Sequence, residues 1–264
     1  MSEATYPRSD DLWVNKIFPV VECLLEQKYL TLEMEDSDLI PKKGPVVFAS
    51  NHAGWFTLDS LMFNFAVFHT SSIEQMPYAV VEDALFRVPI IKSFFPKLGV
   101  LPASGLLKDP IDLPEGVERF GIYPEGAAGN TKPFWKAYQM QPWKTGFLRL
   151  AHQLQAPIVP VAIVGGEECM PVAYQFNLLK KIIGAPIGVP LFPMPLPANW
   201  KIVFHAPVLL DSSKRLDPVF QREEAARIQA IVQKTLDAKT KGHIFPPRPN
   251  LKWANALIKT ISRR

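Results

Sequence analysis

Cysteine is scarce in this chain. Cys23 and Cys169 are too few and too far apart for a disulfide framework or a zinc site, which points to a reducing compartment. Long apolar runs are missing as well. No stretch of about eighteen uninterrupted apolar residues exists, so none reads as a membrane-spanning helix. Residues 182–200 come nearest, but Pro186, Pro190, Pro193, Pro195 and Pro197 exclude an ordinary helix there. That segment reads as an extended, apolar surface stretch. Residues 1–11 carry charges and a proline and lack the apolar centre of a signal peptide. There is no basic block or nucleic-acid recognition motif, which makes nucleic acid the weakest candidate partner. No Gly-x-Ser-x-Gly elbow supports a serine hydrolase. His69, His152, His205 and His243 lack acidic or cysteine partners at metal-ligand spacing, so no metal site is expected.

What is present is a chain of 264 residues, 48% of them apolar, long enough for one substantial core and too hydrophobic to be disordered. A net charge of +4 and an isoelectric point near 9.0 favour anionic partners such as lipid headgroups or a coenzyme. Strand-like runs recur at Val46–Ser50, Tyr78–Val81, Gly99–Pro102, Phe120–Tyr123, Ile158–Val164 and Lys201–His205. Helical patterns lie at Leu58–Phe68, Thr145–Gln155 and Glu223–Ala238. This alternation predicts an α/β fold: a single domain with a largely parallel or mixed sheet flanked by helices. In such sheets ligand-binding residues gather beyond the carboxyl ends of strands.

Two of the predicted strand ends carry chemistry. After Val46–Ser50 comes Asn51-His52-Ala53-Gly54-Trp55-Phe56-Thr57-Leu58-Asp59, and the fourth run ends in Tyr123-Pro124-Glu125-Gly126. An imidazole can take a hydroxyl proton near neutral pH, and a carboxylate can fix its tautomer. On one continuous helix, His52 and Asp59 would stand roughly 10 Å apart along the axis. They can pair if His52 lies in a loop and Asp59 in the first turn of the next helix. Gly54 gives that loop freedom and Thr57 is a candidate N-cap.

The chain resembles the glycerolipid acyltransferases of the lysophospholipid and glycerol-phosphate type, and looks closest to the monoacylglycerol and diacylglycerol acyltransferase-like branch. The resemblance runs from about Pro45 to Asp237. It is carried by Asn51-His52 through Asp59, Leu98-Gly99-Val100-Leu101-Pro102-Ala103-Ser104, Tyr123-Pro124-Glu125-Gly126 and Ala156-Pro157-Ile158-Val159-Pro160-Val161. Lys144-Thr145-Gly146-Phe147 also fits. The family's common histidine–aspartate block has four intervening residues; six occur here, as in the looser branch. The resemblance implies direct attack of a lipid hydroxyl on an acyl thioester, carried by coenzyme A (acyl-CoA) or by acyl carrier protein (acyl-ACP). His52 and Asp59 would be catalytic, with Glu125, Gly126 and Lys144 at the acceptor. No cofactor and no metal are implied.

Arginines that hold phosphate in glycerol-phosphate-using members are missing. Gly105 follows Ala103-Ser104, and Ala127-Ala128 follow Gly126. This favours an uncharged or lightly charged acceptor, unless Lys132, Lys136, Lys144 or Arg149 compensates. The open alternatives are a lysophospholipid or acylglycerol-phosphate acyltransferase and a lipid-binding protein of the same fold without turnover. Pro160 reads as shaping a strand start or edge. The domain division expected is residues 1–44 as an amphipathic membrane-contact region, 45–240 as the acyltransferase domain and 241–264 as a basic amphipathic tail. The first region would use Trp13, Ile17, Phe18, Val21, Leu24 and Leu25 on an N-terminal helix. The tail mixes Trp253, Leu257, Ile258 and Ile261 with Lys252, Lys259, Arg263 and Arg264. A peripheral protein on the cytoplasmic face of a membrane is the expectation.

Overall fold

The computed structural model describes residues 8–106, 113, 116–176, 186–211 and 217–241. Nine strands are present among them: β1 (Leu30–Glu35), β2 (Val46–Ser50), β3 (Tyr78–Val81), β4 (Val100–Pro102), β5 (Arg119–Ile122), β6 (Ile158–Val164), β7 (Val172–Phe176), β8 (Ile187–Pro190) and β9 (Ala198–Phe204). Seven form one sheet in the order β1-β9-β6-β2-β5-β3-β4, and β7 and β8 form a separate antiparallel ribbon. Every neighbouring pair in the large sheet is parallel except β6 with β9. The fold is a single α/β domain with a mixed, mostly parallel sheet.

Strand β2 shows why the sheet needs helices on both faces. All five of its residues are buried. Because side chains alternate across a strand, Val46 and Phe48 pack into one core and Val47 and Ala49 into the other. The first core is filled by Met62, Phe63, Phe65 and Ala66 of the Leu58–Thr70 helix with Trp200 and Phe204 of β9. The second takes Phe147, Leu148 and Leu150 of the Gly146–Leu154 helix and Ile228, Val232 and Leu236 of the Pro218–Lys239 helix. Fully burying a side chain such as Phe48 contributes about 1.5–3 kcal/mol.

Three expectations change here. Residues before Val46 are part of the sheet's packing: β1 runs parallel to β9 from Leu30↔Ala198 to Glu35↔Val203. The N-terminal helix ends at Glu26, and its Trp13, Phe18 and Val21 are buried in the first core, with Val14 and Val20 left exposed. The apolar face assigned to the membrane therefore covers the sheet. Pro160 sits inside β6, a central strand. It is tolerated because β9 pairing stops at Val161↔Phe204 and resumes only as the Ile158↔Val208 bridge, past the bend at His205-Ala206-Pro207. No ladder bond is asked of the missing N–H, and the Pro160 carbonyl accepts from the His205 amide at 3.0 Å. The expected tail lies almost wholly outside the described residues, as do residues 182–185 of the proline-rich segment.

Candidate active site

The sheet order sets β5, β2 and β6 side by side, so the loops leaving their carboxyl ends converge. Asn51 opens the loop after β2. Its side-chain amide donates to the Ile163 carbonyl at 2.9 Å, and its Oδ1 accepts from the Ile163 N–H at 2.8 Å, so it prolongs the β2–β6 ladder by one side chain. Gly54 then turns with φ +80°, and a Cβ there would lie 2.2 Å from the Gly166 carbonyl oxygen. The loops after β2 and β6 are thus in backbone contact, and a side chain cannot be accommodated between them.

This loop delivers His52 to Asp59, which occupies the first turn of the Leu58–Thr70 helix. His52 Nδ1 lies 2.6 Å from Asp59 Oδ2, and Asp59 is fully buried. Asp59 also accepts from the Ala53 N–H at 2.9 Å and the Ser60 N–H at 2.8 Å. The division of the pair between loop and helix is as the spacing requires. Thr57 differs: it stands at the cap position with φ +57° and makes no side-chain cap hydrogen bond. With its oxygens accepting throughout, Asp59 fixes the imidazole proton on Nδ1 and leaves the Nε2 lone pair available. Nε2 has no hydrogen bond among the described residues. The Tyr123 ring stacks on the imidazole, centroids 4.5 Å apart and planes 28° apart, and so sets its plane.

Glu125 joins the same group of residues. Oε1 accepts from the His52 N–H at 2.8 Å and Oε2 from the Gln141 N–H at 2.7 Å. Both oxygens of this buried carboxylate are therefore committed to backbone amides. Gly126 has φ +60°, and a Cβ on it would lie 3.0 Å from Lys144 Nζ. Lys144 is exposed at the rim and forms an ion pair with Glu82. Of the site residues expected from sequence, His52, Asp59, Glu125 and Gly126 stand together and Lys144 stands at their edge.

Lys132 moves in the opposite direction. It is 2% exposed, with Nζ 2.8 Å from Glu167 Oε1 and 3.0 Å from the His52 carbonyl oxygen. Burial opposes its charge, but Glu167 and Glu125 outweigh that, and its pKa stands above the ordinary lysine value. One cation shared by two carboxylates does not satisfy both fully, and burial holds Glu167 above the usual carboxylate range. Next to it, Glu168 accepts from the Tyr138 hydroxyl, and burial pushes it up to about 7.

A model of the acyltransferase family matches residues 31–164, just over half of the chain. The chain belongs to the acyltransferase family. As an acyltransferase-family chain it is 30% identical over 223 residues to an uncharacterized protein of Mycobacterium tuberculosis, covering 80% of this chain and 62% of that one. A further uncharacterized protein, from Mycobacterium leprae, is 29% identical over 223 residues, 80% of this chain and 60% of that one. The chain thus spans about three-fifths of the length of these relatives. Its fold is similar to that of the 1-acyl-sn-glycerophosphate (LPA) acyltransferase of Thermotoga maritima, with TM-score 0.54 and 16% identity, covering 87% of this chain and 80% of that one.

The matched acyltransferase region holds His52, Asp59, Glu125, Lys132 and Lys144, while Glu167 and Glu168 lie just beyond it. Sequence reasoning passed over the Gly165-Gly166-Glu167-Glu168 turn. Its signal was there: two glycines and two acids directly after an apolar strand run. Lys132 gave no such signal, because nothing local distinguishes a buried lysine from a solvated one.

Proposed function

We propose that this chain transfers a fatty acyl group from an acyl thioester, on coenzyme A or acyl carrier protein, to a hydroxyl of a glycerolipid or similar lipid alcohol at a membrane surface. The observation that carries the reading is the buried 2.6 Å contact between His52 and Asp59, which leaves Nε2 without a partner among the described residues. Nε2 takes the acceptor's hydroxyl proton as the oxygen attacks the thioester carbonyl carbon. The tetrahedral adduct collapses with cleavage of the C–S bond, and the imidazolium returns the proton to the leaving thiolate. Asp59 stabilises the imidazolium between those two transfers. The scheme as proposed uses no covalent acyl-enzyme, metal or cofactor.

A neutral or lightly charged acceptor fits the residues best. The positions after Ser104 and Gly126 are Gly105 and Ala127. Lys132, weighed from sequence as a substitute phosphate ligand, is buried and engaged by Glu167. Lys136, Lys144 and Arg149 are exposed, and Lys144 is already paired with Glu82.

Contact with the bilayer is assigned to the segment following β3. Val88, Ile90 and Phe94 are 40%, 77% and 47% exposed, while Arg87, Lys92 and Lys97 are exposed among them. No acidic residue occurs from Leu85 to Gly105. An apolar stripe with basic residues at both ends suits an anionic lipid surface on the cytoplasmic side. Among the described residues no helix is long and apolar enough to cross a membrane.

The deciding experiment follows thiol release from a long-chain acyl-CoA, then from an acyl-ACP, with and without a panel of lipid alcohols. Acceptor-dependent release that disappears in His52→Ala is the expected result. Equal release without acceptor would replace the reading with a thioesterase, and no release from either donor would leave a lipid-binding protein. Preference for lysophosphatidic acid over diacylglycerol would overturn the neutral-acceptor assignment.

A further inference from the structure

The backbone of His52 is held by a closed ring of polar contacts. Its N–H donates to Glu125 Oε1 at 2.8 Å, and its carbonyl accepts from Lys132 Nζ at 3.0 Å. Lys132 Nζ in turn lies 3.7 Å from Glu125 Oε2, which closes the ring. Glu167 Oε1, from the turn after β6, holds the same Nζ at 2.8 Å. All four residues are buried. Gly129 fits against the ring so tightly that a Cβ would lie 2.7 Å from Glu125 Cβ and 2.8 Å from His52 Cβ.

We propose that Lys132 is a positioning residue for the acyl transfer argued above: by tying Glu125 to the His52 carbonyl, it fixes the peptide on which the catalytic imidazole is mounted. The proposal rests on that reading of His52. Lys132 itself is too buried to meet a substrate, so its effect passes through other residues. Buried carboxylates are costly unless paired. Without Lys132, the buried carboxylates of Glu125 and Glu167 would face each other with no cation between them, and their repulsion would draw Glu125 away from the His52 N–H. The His52 carbonyl would lose its donor at the same time. A misplacement on the order of 1 Å at a reacting group costs up to about 100-fold in rate.

An ion pair that served stability alone would have no reason to end on both backbone polar groups of the base. The test exploits that. Lys132→Met removes the charge and keeps the length; Glu167→Gln keeps an acceptor for Lys132 and leaves its contacts with Glu125 and His52. Two readouts are taken: steady-state thiol release, and amide hydrogen exchange at residues 51–53 compared with β9. For Lys132→Met we expect kcat to fall about 10- to 100-fold with the acyl-donor KM within about twofold. Exchange should speed up at 51–53 while β9 stays protected. Glu167→Gln should keep kcat within about threefold of wild type. Unchanged exchange at 51–53, equal loosening of 51–53 and β9, or Glu167→Gln costing as much as Lys132→Met would each overturn the proposal. If Lys132→Met does not fold, the Lys132→Met/Glu167→Gln double variant, which restores the net charge of the buried cluster, carries the same exchange comparison. If wild type turns over no lipid alcohol, the acyl-transfer reading fails on its own, and the exchange data still decide whether Lys132 holds His52.

Discussion

The loops after β2 and β6 leave neighbouring parallel strands, touch through Gly54 and Gly166, and each leads to a buried carboxylate, Asp59 and Glu167. They differ in what remains available. After β6, Glu167 is taken up by Lys132 and Glu168 by Tyr138. After β2, Asp59 is satisfied by His52, Ala53 and Ser60, yet His52 keeps Nε2 without a partner among the described residues. A position at a strand's carboxyl end is therefore not what makes a residue reactive. On the proposed acyl-transfer reading, the reactive group is the one whose neighbours satisfy every polar atom but the one that does chemistry. The β6 loop is the mould against which the β2 loop is shaped.

The largest break in this comparison is expected from His52→Ala, which removes the available atom and leaves the mould intact. Turnover should drop about 10²- to 10⁴-fold with the thermal midpoint nearly unchanged, checked by thiol release beside a melting curve. Comparable turnover in the variant would remove His52 from the mechanism.

Gly54→Ala attacks the contact between the loops. A Cβ 2.2 Å from a backbone oxygen, at φ +80°, should destabilise the fold by about 2–4 kcal/mol, read from urea midpoints. Gly44, whose φ is +77° but whose Cβ would meet nothing within 4 Å, is the control, and Gly44→Ala should cost about 1 kcal/mol. Equal costs would mean that the close approach to Gly166 carries no weight.

Tyr123→Leu leaves a smaller apolar side chain and removes the aromatic face stacked on the imidazole. A loss in kcat of roughly tenfold, with little change in KM, is expected if the stack sets the ring plane. A change in KM alone would place Tyr123 against substrate instead.

The smallest effect lies in the β6 loop. Glu168 has its pKa raised from 4.5 to about 7, so between those values the folded protein holds more protons than the unfolded chain. Stability should therefore be greatest below pH 4.5 as far as this group is concerned, and should fall as pH rises toward 7. Because Glu168 is partly exposed, the loss is discounted to on the order of 1 kcal/mol. Glu168→Gln should flatten that limb in denaturation curves taken from pH 4 to 8; an unchanged slope would assign it to another group.

Much of this architecture was legible because its signals are local. Val46–Ser50, Tyr78–Val81 and Ile158–Val164 coincide with β2, β3 and β6, since apolar β-rich runs bounded by turn residues need no distant partner to be noticed. The His52–Asp59 geometry followed from counting residues against helical rise. β1 was missed because Leu30–Glu35 places Glu33 and Glu35 on an edge strand, where their ion pairs with Lys201 lie far along the chain. Glu125 was recognised as a site residue, but its two amide partners could not be read from its neighbours.

By itself, then, the sequence determined the α/β alternation, the loop that carries His52, the helix turn that carries Asp59, and the turn that carries Glu125. Only the tertiary structure decided that Lys132 is buried beneath His52, 80 residues before it in the chain, and that β1 closes the sheet against β9. The physical reason is the range of the forces involved. Periodicity and turn chemistry act within a few residues, whereas whether a charged side chain is solvated or paired depends on which strand ends the finished sheet brings together.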